Sequence, residues 1–101
     1  MVFKHQTERA AGGHKPMAIV GVVASGKLEA LFERDLPDKR CEVEIVTSVT
    51  GFDDVWKAVI ADFVARAQPG GLRIAINDGG ARPDMVSLRL MQGHSLMEAA
   101  R

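Results

Sequence analysis

From Cys41 to Val49 the chain alternates in character. Cys41, Val43, Ile45, Thr47 and Val49 fall on one side, and Glu42 and Glu44 fall on the other. A two-residue period is that of a strand with one face buried and one face in water. The chain must therefore contain a sheet with a covered side, and something else in the sequence must cover it. Residues 53 to 67 supply that cover. Val55, Trp56, Val59, Ile60, Phe63, Val64 and Ala67 recur at helical spacing and form one apolar stripe, with Lys57, Asp62 and Arg66 off it. Asp53 and Asp54 suit the first turn of a helix, and Pro69-Gly70-Gly71 stops it.

The same reading extends to both sides. Met17 to Ala24 is short, apolar and rich in β-branched residues, which predicts a strand buried on both faces. Ser25-Gly26 follows as a turn dipeptide. Beyond it Leu28, Ala30 and Phe32 alternate with Glu29 and Glu33, so the two runs predict a β-hairpin. Arg34 to Arg40 is a charged segment containing Pro37-Asp38, and Arg34, Lys39 and Arg40 read as solvating a loop. Leu72 to Ile76 is another strand, and Asn77 to Gly80 a loop. Pro83-Asp84 opens a last segment whose Val86, Leu88 and Leu90 fit a strand as well as a helix, with helix preferred and Gly93 expected to break either. Residues 1–16 mix charge, Gly and Pro and predict a flexible N-terminal tail. The expected fold is α+β: a small, mainly antiparallel sheet with an N-terminal β-hairpin and one or two helices packed on one face, the folded domain running from 17 to 101.

Composition removes several classes of function. Thirteen basic residues balance thirteen acidic ones, whereas phosphate-backbone binding leaves a basic excess, so nucleic acid is not expected as a partner. No apolar run approaches the roughly 18 residues of a membrane span, and Met1 to Pro16 lacks the apolar core of a secretory signal. The lone Cys41 fits a reducing, cytoplasmic setting. His5, His14 and His94 are scattered, with no metal-ligand spacing. The paired glycines build neither a dinucleotide fingerprint nor a P-loop. A hydrolytic triad of Ser25, His94 and Asp78 lacks the nucleophile-elbow sequence, because Val23 stands where glycine is required.

Ser25 then remains as a hydroxyl at the tip of a hairpin, flanked by the small Ala24 and Gly26. A covalently carried group needs such a position, reachable by a modifying enzyme and free of neighbouring bulk. Ser-Gly also makes ordinary turns, and a cofactor-free protein-interaction module using the sheet face or the Trp56 helix is the competing reading.

The segment Val20-Gly21-Val22-Val23-Ala24-Ser25-Gly26-Lys27-Leu28-Glu29-Ala30-Leu31 resembles the serine-bearing stretch of the malonate decarboxylase acyl carrier family, the delta subunit. Two further matches follow in order. Val46 to Val49 precedes the Trp56 helix, and Ile76-Asn77-Asp78-Gly79-Gly80-Ala81-Arg82-Pro83 leads into Val86 to Gln92. The citrate lyase acyl carrier is a more distant likeness and the alternative host. Lys27 stands where the family more often has an acid, Ala24 where it often has glycine, and Asn77 and Gly79 also depart from the commoner residues.

The resemblance implies that Ser25 carries 2′-(5″-phosphoribosyl)-3′-dephospho-CoA through a phosphodiester, with Gly26 and Lys27 as neighbours of the attachment point. It implies a non-catalytic subunit whose arm holds acetyl or malonyl as a thioester. The partners it implies are the transferase and decarboxylase subunits, a malonyl-transfer enzyme and a transferase that loads the prosthetic group. Lys27 could steady the anionic arm, and Arg89 could meet a cofactor phosphate; salt bridging or exposure is the simpler role for both Asp78 and Arg89.

Overall fold

A computed structural model describes residues 1–21, 27–37 and 39–99. Five strands and two helices follow one another: β1 (Val2–Gln6), β2 (Met17–Gly21), β3 (Leu28–Glu33), β4 (Arg40–Thr47), α1 (Asp53–Ala67), β5 (Arg73–Asp78) and α2 (Pro83–Glu98). The strands form one sheet in the order β1-β4-β5-β3-β2. All neighbours are antiparallel except β4 and β5, which are parallel and joined through α1. The expected two-layer α+β architecture is therefore what the chain adopts, and its last segment is helical.

The alternation that marked β3 and β4 decides which face is covered. Leu28, Ala30 and Phe32 of β3, Cys41, Val43 and Ile45 of β4, and Ile74 and Ile76 of β5 all turn towards the helices and are buried. Trp56, Ile60, Phe63 and Val64 of α1 meet them with Val86, Leu90 and Met97 of α2. The opposite sheet face carries Glu42, Glu44, Glu29, Glu33 and Arg73, and among the described residues no element packs over it.

Four expectations are corrected. Residues 2–6 are not a tail: β1 pairs antiparallel with β4 from Val2↔Glu44 to Gln6↔Arg40. The segment after it is also tied down. The Thr7 N–H donates to the Lys39 carbonyl at 2.9 Å and the Ala11 N–H to that of Gly70 at 2.8 Å. An edge strand of this kind needs only one inward face, here Phe3 and His5, and takes its hydrogen bonds from a partner some 40 residues away in sequence, so no local pattern announces it. The run starting at Met17 is not buried on both faces either. β2 is the other edge, and Met17 and Ile19 are 47% and 55% exposed on the uncovered side. Gly93 does not break α2. It lies buried inside it, where a Cβ would collide with the Phe32 ring.

Arg34 is likewise not a solvating loop residue. Its guanidinium donates to the carbonyls of Lys15 at 3.0 Å, Ala11 at 3.0 Å, Gly12 at 2.9 Å and Met97 at 2.7 Å. It thereby clamps the N-terminal segment to the last turn of α2, whose unpaired carbonyls favour a cation. Among the described residues no helix is long and apolar enough to cross a membrane.

Candidate functional site

The topology gathers one end of the sheet. β4 and β5 are parallel, so both finish at the same end, and α1 and α2 begin there. β3 runs antiparallel to β5, with Leu28 opposite Asp78, so β3 starts at that end and β2 finishes at it. The crevice beyond the carboxyl ends of parallel strands is the usual place for a site in sheets of this kind. Here it also receives the two strand ends that flank residues 22–26. Ser25 and Gly26 lie outside the described residues, and with them the expected Ser-Gly turn between β2 and β3.

Lys27 is described and exposed. Its carbonyl accepts the Gly79 N–H at 2.7 Å, which ties the start of β3 to the Asn77-Asp78-Gly79-Gly80 loop. Asp78 organises that loop. Its side chain is buried at 7% exposure, and both carboxylate oxygens are engaged. Oδ1 accepts the Ala81 N–H at 2.8 Å and Oδ2 accepts the Thr47 hydroxyl at 2.7 Å. The Thr47 oxygen in turn accepts the Val49 N–H at 3.1 Å, and the Ser48 N–H donates to the Asp78 carbonyl at 3.2 Å. A single side chain thus fixes the exits of β4 and β5 and the approach to α2. Asp78 is a scaffold residue of the site: each of its oxygens is held by one donor of the chain itself.

Between the first turns of the two helices lies a cavity of about 290 Å³. Val49, Phe52, Val55, Trp56 and Val59 line it from the α1 side, and Ala81, Pro83 and Val86 from the α2 side, together with Asp78, Gly80 and the exposed Arg82. Trp56 is 6% exposed, so the helix-stripe tryptophan serves the core and the cavity together. Phe52 is half-exposed at the mouth. The first turns of α1 and α2 already hold Asp53, Asp54 and Asp84, which offset the positive ends of both helices. Arg82 is an exposed cation 3.4 Å from Asp84.

The remaining singled-out residues lie elsewhere. His94 sits three turns along α2, roughly 16 Å from its start at 1.5 Å per residue. Its ring stands edge-on to Phe63 with centroids 6.2 Å apart. Burial holds its pKa below the ordinary value, an effect partly opposed by Glu98 and reinforced by Arg9 and Arg34. With Asp78 committed to Thr47 and Ala81, the triad of Ser25, His94 and Asp78 has no support. Arg89 is bonded along its helix to Gln92 at 2.9 Å, and Ser48, Lys39 and Arg40 are exposed. No cluster of metal-ligating side chains occurs among the described residues.

Neither the cavity nor the Arg34 clamp was foreseen from sequence. The apolar residues at 49, 52 and 55 were a usable signal for the cavity, because they carry the apolar stripe beyond what the sheet can cover.

The acyl-carrier family described as malonate decarboxylase delta subunit (MdcD) matches residues 15–96. The chain is 59% identical over 90 residues to a malonate decarboxylase acyl carrier protein of Bradyrhizobium diazoefficiens, which takes in 89% of this chain and 86% of that one. Against the protein of the same description from Xanthomonas campestris pv. campestris the identity is 51% over 83 residues, 82% of this chain and 79% of the relative. The fold superposes on a chain of a Pseudomonas malonate decarboxylase hetero-tetramer crystallised in complex with malonate. There the TM-score is 0.83 and the identity 33%, with 96% of both chains covered.

Proposed function

The chain belongs to the malonate decarboxylase delta-subunit family, and from that membership we propose that it serves a malonate decarboxylase as its acyl carrier, with Ser25 as the point of covalent attachment. The observation that carries this reading is the family match over residues 15–96, a span that includes Ser25 and the Val20–Leu31 segment that resembles the family's serine-bearing stretch.

The described surroundings suit an attached arm. The paired strands β2 and β3 and the bond from Gly79 to Lys27 hold both ends of the serine segment against a rigid sheet. Lys27 and Arg82 are exposed cations at that end, compatible with the phosphates of 2′-(5″-phosphoribosyl)-3′-dephospho-CoA. When bound, this group supplies a thiol that carries the acyl unit as a thioester. The chain's own part is to present the attachment point and keep it clear of bulk.

Among the described residues at this end, Asp78 accepts from Thr47 and Ala81, and Asp53, Asp54 and Asp84 are exposed first-turn carboxylates. On this reading the reacting groups belong to partners: the transferase and decarboxylase subunits, a malonyl-transfer enzyme, and the transferase that loads the arm. The hetero-tetrameric assembly of the Pseudomonas relative supports such company. Delivery by a tethered arm raises the local concentration of the acyl group at each partner in turn.

Intact mass tests the reading. Co-expression with the loading enzymes should add one prosthetic-group mass to the wild-type chain and none to Ser25→Ala. An unmodified wild type under those conditions overturns it.

A further inference from the structure

The apolar cavity between the helix N-termini adjoins the Asp78–Gly80 loop that is bonded to Lys27, two residues along the chain from Ser25. We propose that this cavity receives the acetyl-bearing end of the arm, a pantetheine-type thioester, and excludes the same arm when it bears malonyl. The inference rests on the reading of Ser25 as the attachment point.

Position comes first. Asp78 and Gly80 line the cavity, and Gly79 between them donates its N–H to the Lys27 carbonyl. Ser25 is two residues from Lys27, and two residues span at most about 7 Å. A long arm anchored within that reach of Lys27 has the cavity within range of its free end, so its own tether supplies a high effective concentration.

Chemistry selects the occupant. At about 290 Å³, the cavity is near the lower limit for small-molecule pockets, roughly 300 Å³. Its walls are Val49, Val55, Trp56, Val59 and Val86 with the face of Pro83. Such a lining accepts a methyl group and a thioester, neither of which demands a strong hydrogen-bond partner. A malonyl group ends in a free carboxylate. Inside, that carboxylate would meet apolar walls and the Asp78 side chain, whose oxygens already accept from Thr47 and Ala81. Arg82, the one cation among the lining residues, has its side chain 84% exposed, too solvated to offset burial of a second charge. Desolvating an unpaired carboxylate is costly, so charge on the acyl group decides whether the arm is docked or free. The acetyl form is sheltered from water, and the malonyl form is left available to a partner subunit.

Trp56 reports on this directly, because it lines the cavity and the chain has no other tryptophan and no tyrosine. Free S-acetylpantetheine added to the unloaded chain should shift Trp56 emission saturably in the millimolar range. S-malonylpantetheine should bind at least about tenfold more weakly, the factor that 1.4 kcal/mol of desolvation cost supplies. In the loaded chain, its mass verified beforehand, acrylamide quenching of Trp56 should be weaker in the acetyl form than in the malonyl form. Val59→Phe, which fills the cavity from a half-buried position, should remove both responses while leaving the mass gain on Ser25. No saturable shift with S-acetylpantetheine, or equal responses to the two thioesters, overturns the proposal. A chain that never gains the prosthetic mass but still discriminates between the free thioesters overturns the attachment reading and leaves the cavity assignment standing.

Discussion

The Thr47 hydroxyl donates to Asp78 Oδ2 at 2.7 Å across the parallel pair β4 and β5. Through that contact the two strand exits that frame the site are held as one unit, and the other Asp78 oxygen holds the turn into α2. Asp78→Ala leaves the Ala81 N–H and the Thr47 hydroxyl without their acceptor. We expect a loss of about 2–3 kcal/mol in the free energy of urea unfolding, the range for hydrogen bonds to a charged group. Thr47→Val, which removes one of the two bonds, should cost less, on the order of 1 kcal/mol.

Gly93→Ala should destabilise the chain although alanine is the better helix former by about 1 kcal/mol. The added Cβ meets the Phe32 ring in the tightest part of the core, and overpacking of that sort costs about 1–3 kcal/mol. Phe32→Leu in the same chain should recover part of the loss. A double-mutant cycle by urea unfolding measures the coupling, and additive single effects would show that the two residues do not compete for space.

Cys41 is buried near the start of β4, and burial followed by the neighbouring Glu42 pushes its thiol up to about 12. Only the thiolate reacts with alkylating agents. At pH 8 iodoacetamide should therefore leave the native chain unlabelled and label it once in denaturant, as read by intact mass. Rapid native labelling would mean that β4 opens locally.

Stability should depend on pH in two windows. In the folded chain His94 resists protonation, chiefly through burial, and its Nε2 has no hydrogen-bond partner, with Glu98 Oε2 at 3.5 Å. The unfolded chain then binds the proton first, so stability falls as pH drops below the ordinary histidine value of 6.5 and levels off beneath the folded value. Glu98 acts in the same sense at lower pH. The Gly12 N–H at 2.9 Å, with His94 and Arg9 nearby, holds its carboxyl below 4.5. Its contribution is present above that value and lost as pH falls through the lower folded one. Urea unfolding between pH 8 and pH 5 should show the first window. His94→Leu should flatten it, leaving the smaller slope from His5, whose pKa burial also lowers.

Much of the fold was legible because local periodicity states which way a side chain faces. The alternation in β3 and β4 and the stripe of α1 each required a covered side, and their order left few ways to supply it. The nature of α2 was weakly marked, since Val86, Leu88 and Leu90 suit both periods. What local pattern does not carry is the identity of the neighbour. Phe3 and His5 become a strand only when β4 lies alongside. Arg34 becomes a clamp only when the α2 C-terminus and the Ala11-Gly12 backbone arrive at its guanidinium. The break expected at Gly93 failed for the same reason, because the Phe32 ring that demands a glycine there is 61 positions away.

The sequence by itself determined the α+β class, the helix-covered face and the serine-bearing segment on which the family resemblance rests. These are properties of residues read in order, set by periods of two and 3.6. Only the tertiary structure decided that the exits of β4 and β5, the starts of both helices and the strand ends flanking Ser25 share one end of the sheet. It also decided that an apolar cavity opens there beside Trp56. Strand pairing is set by contacts between distant residues, and a cavity is the space those contacts leave.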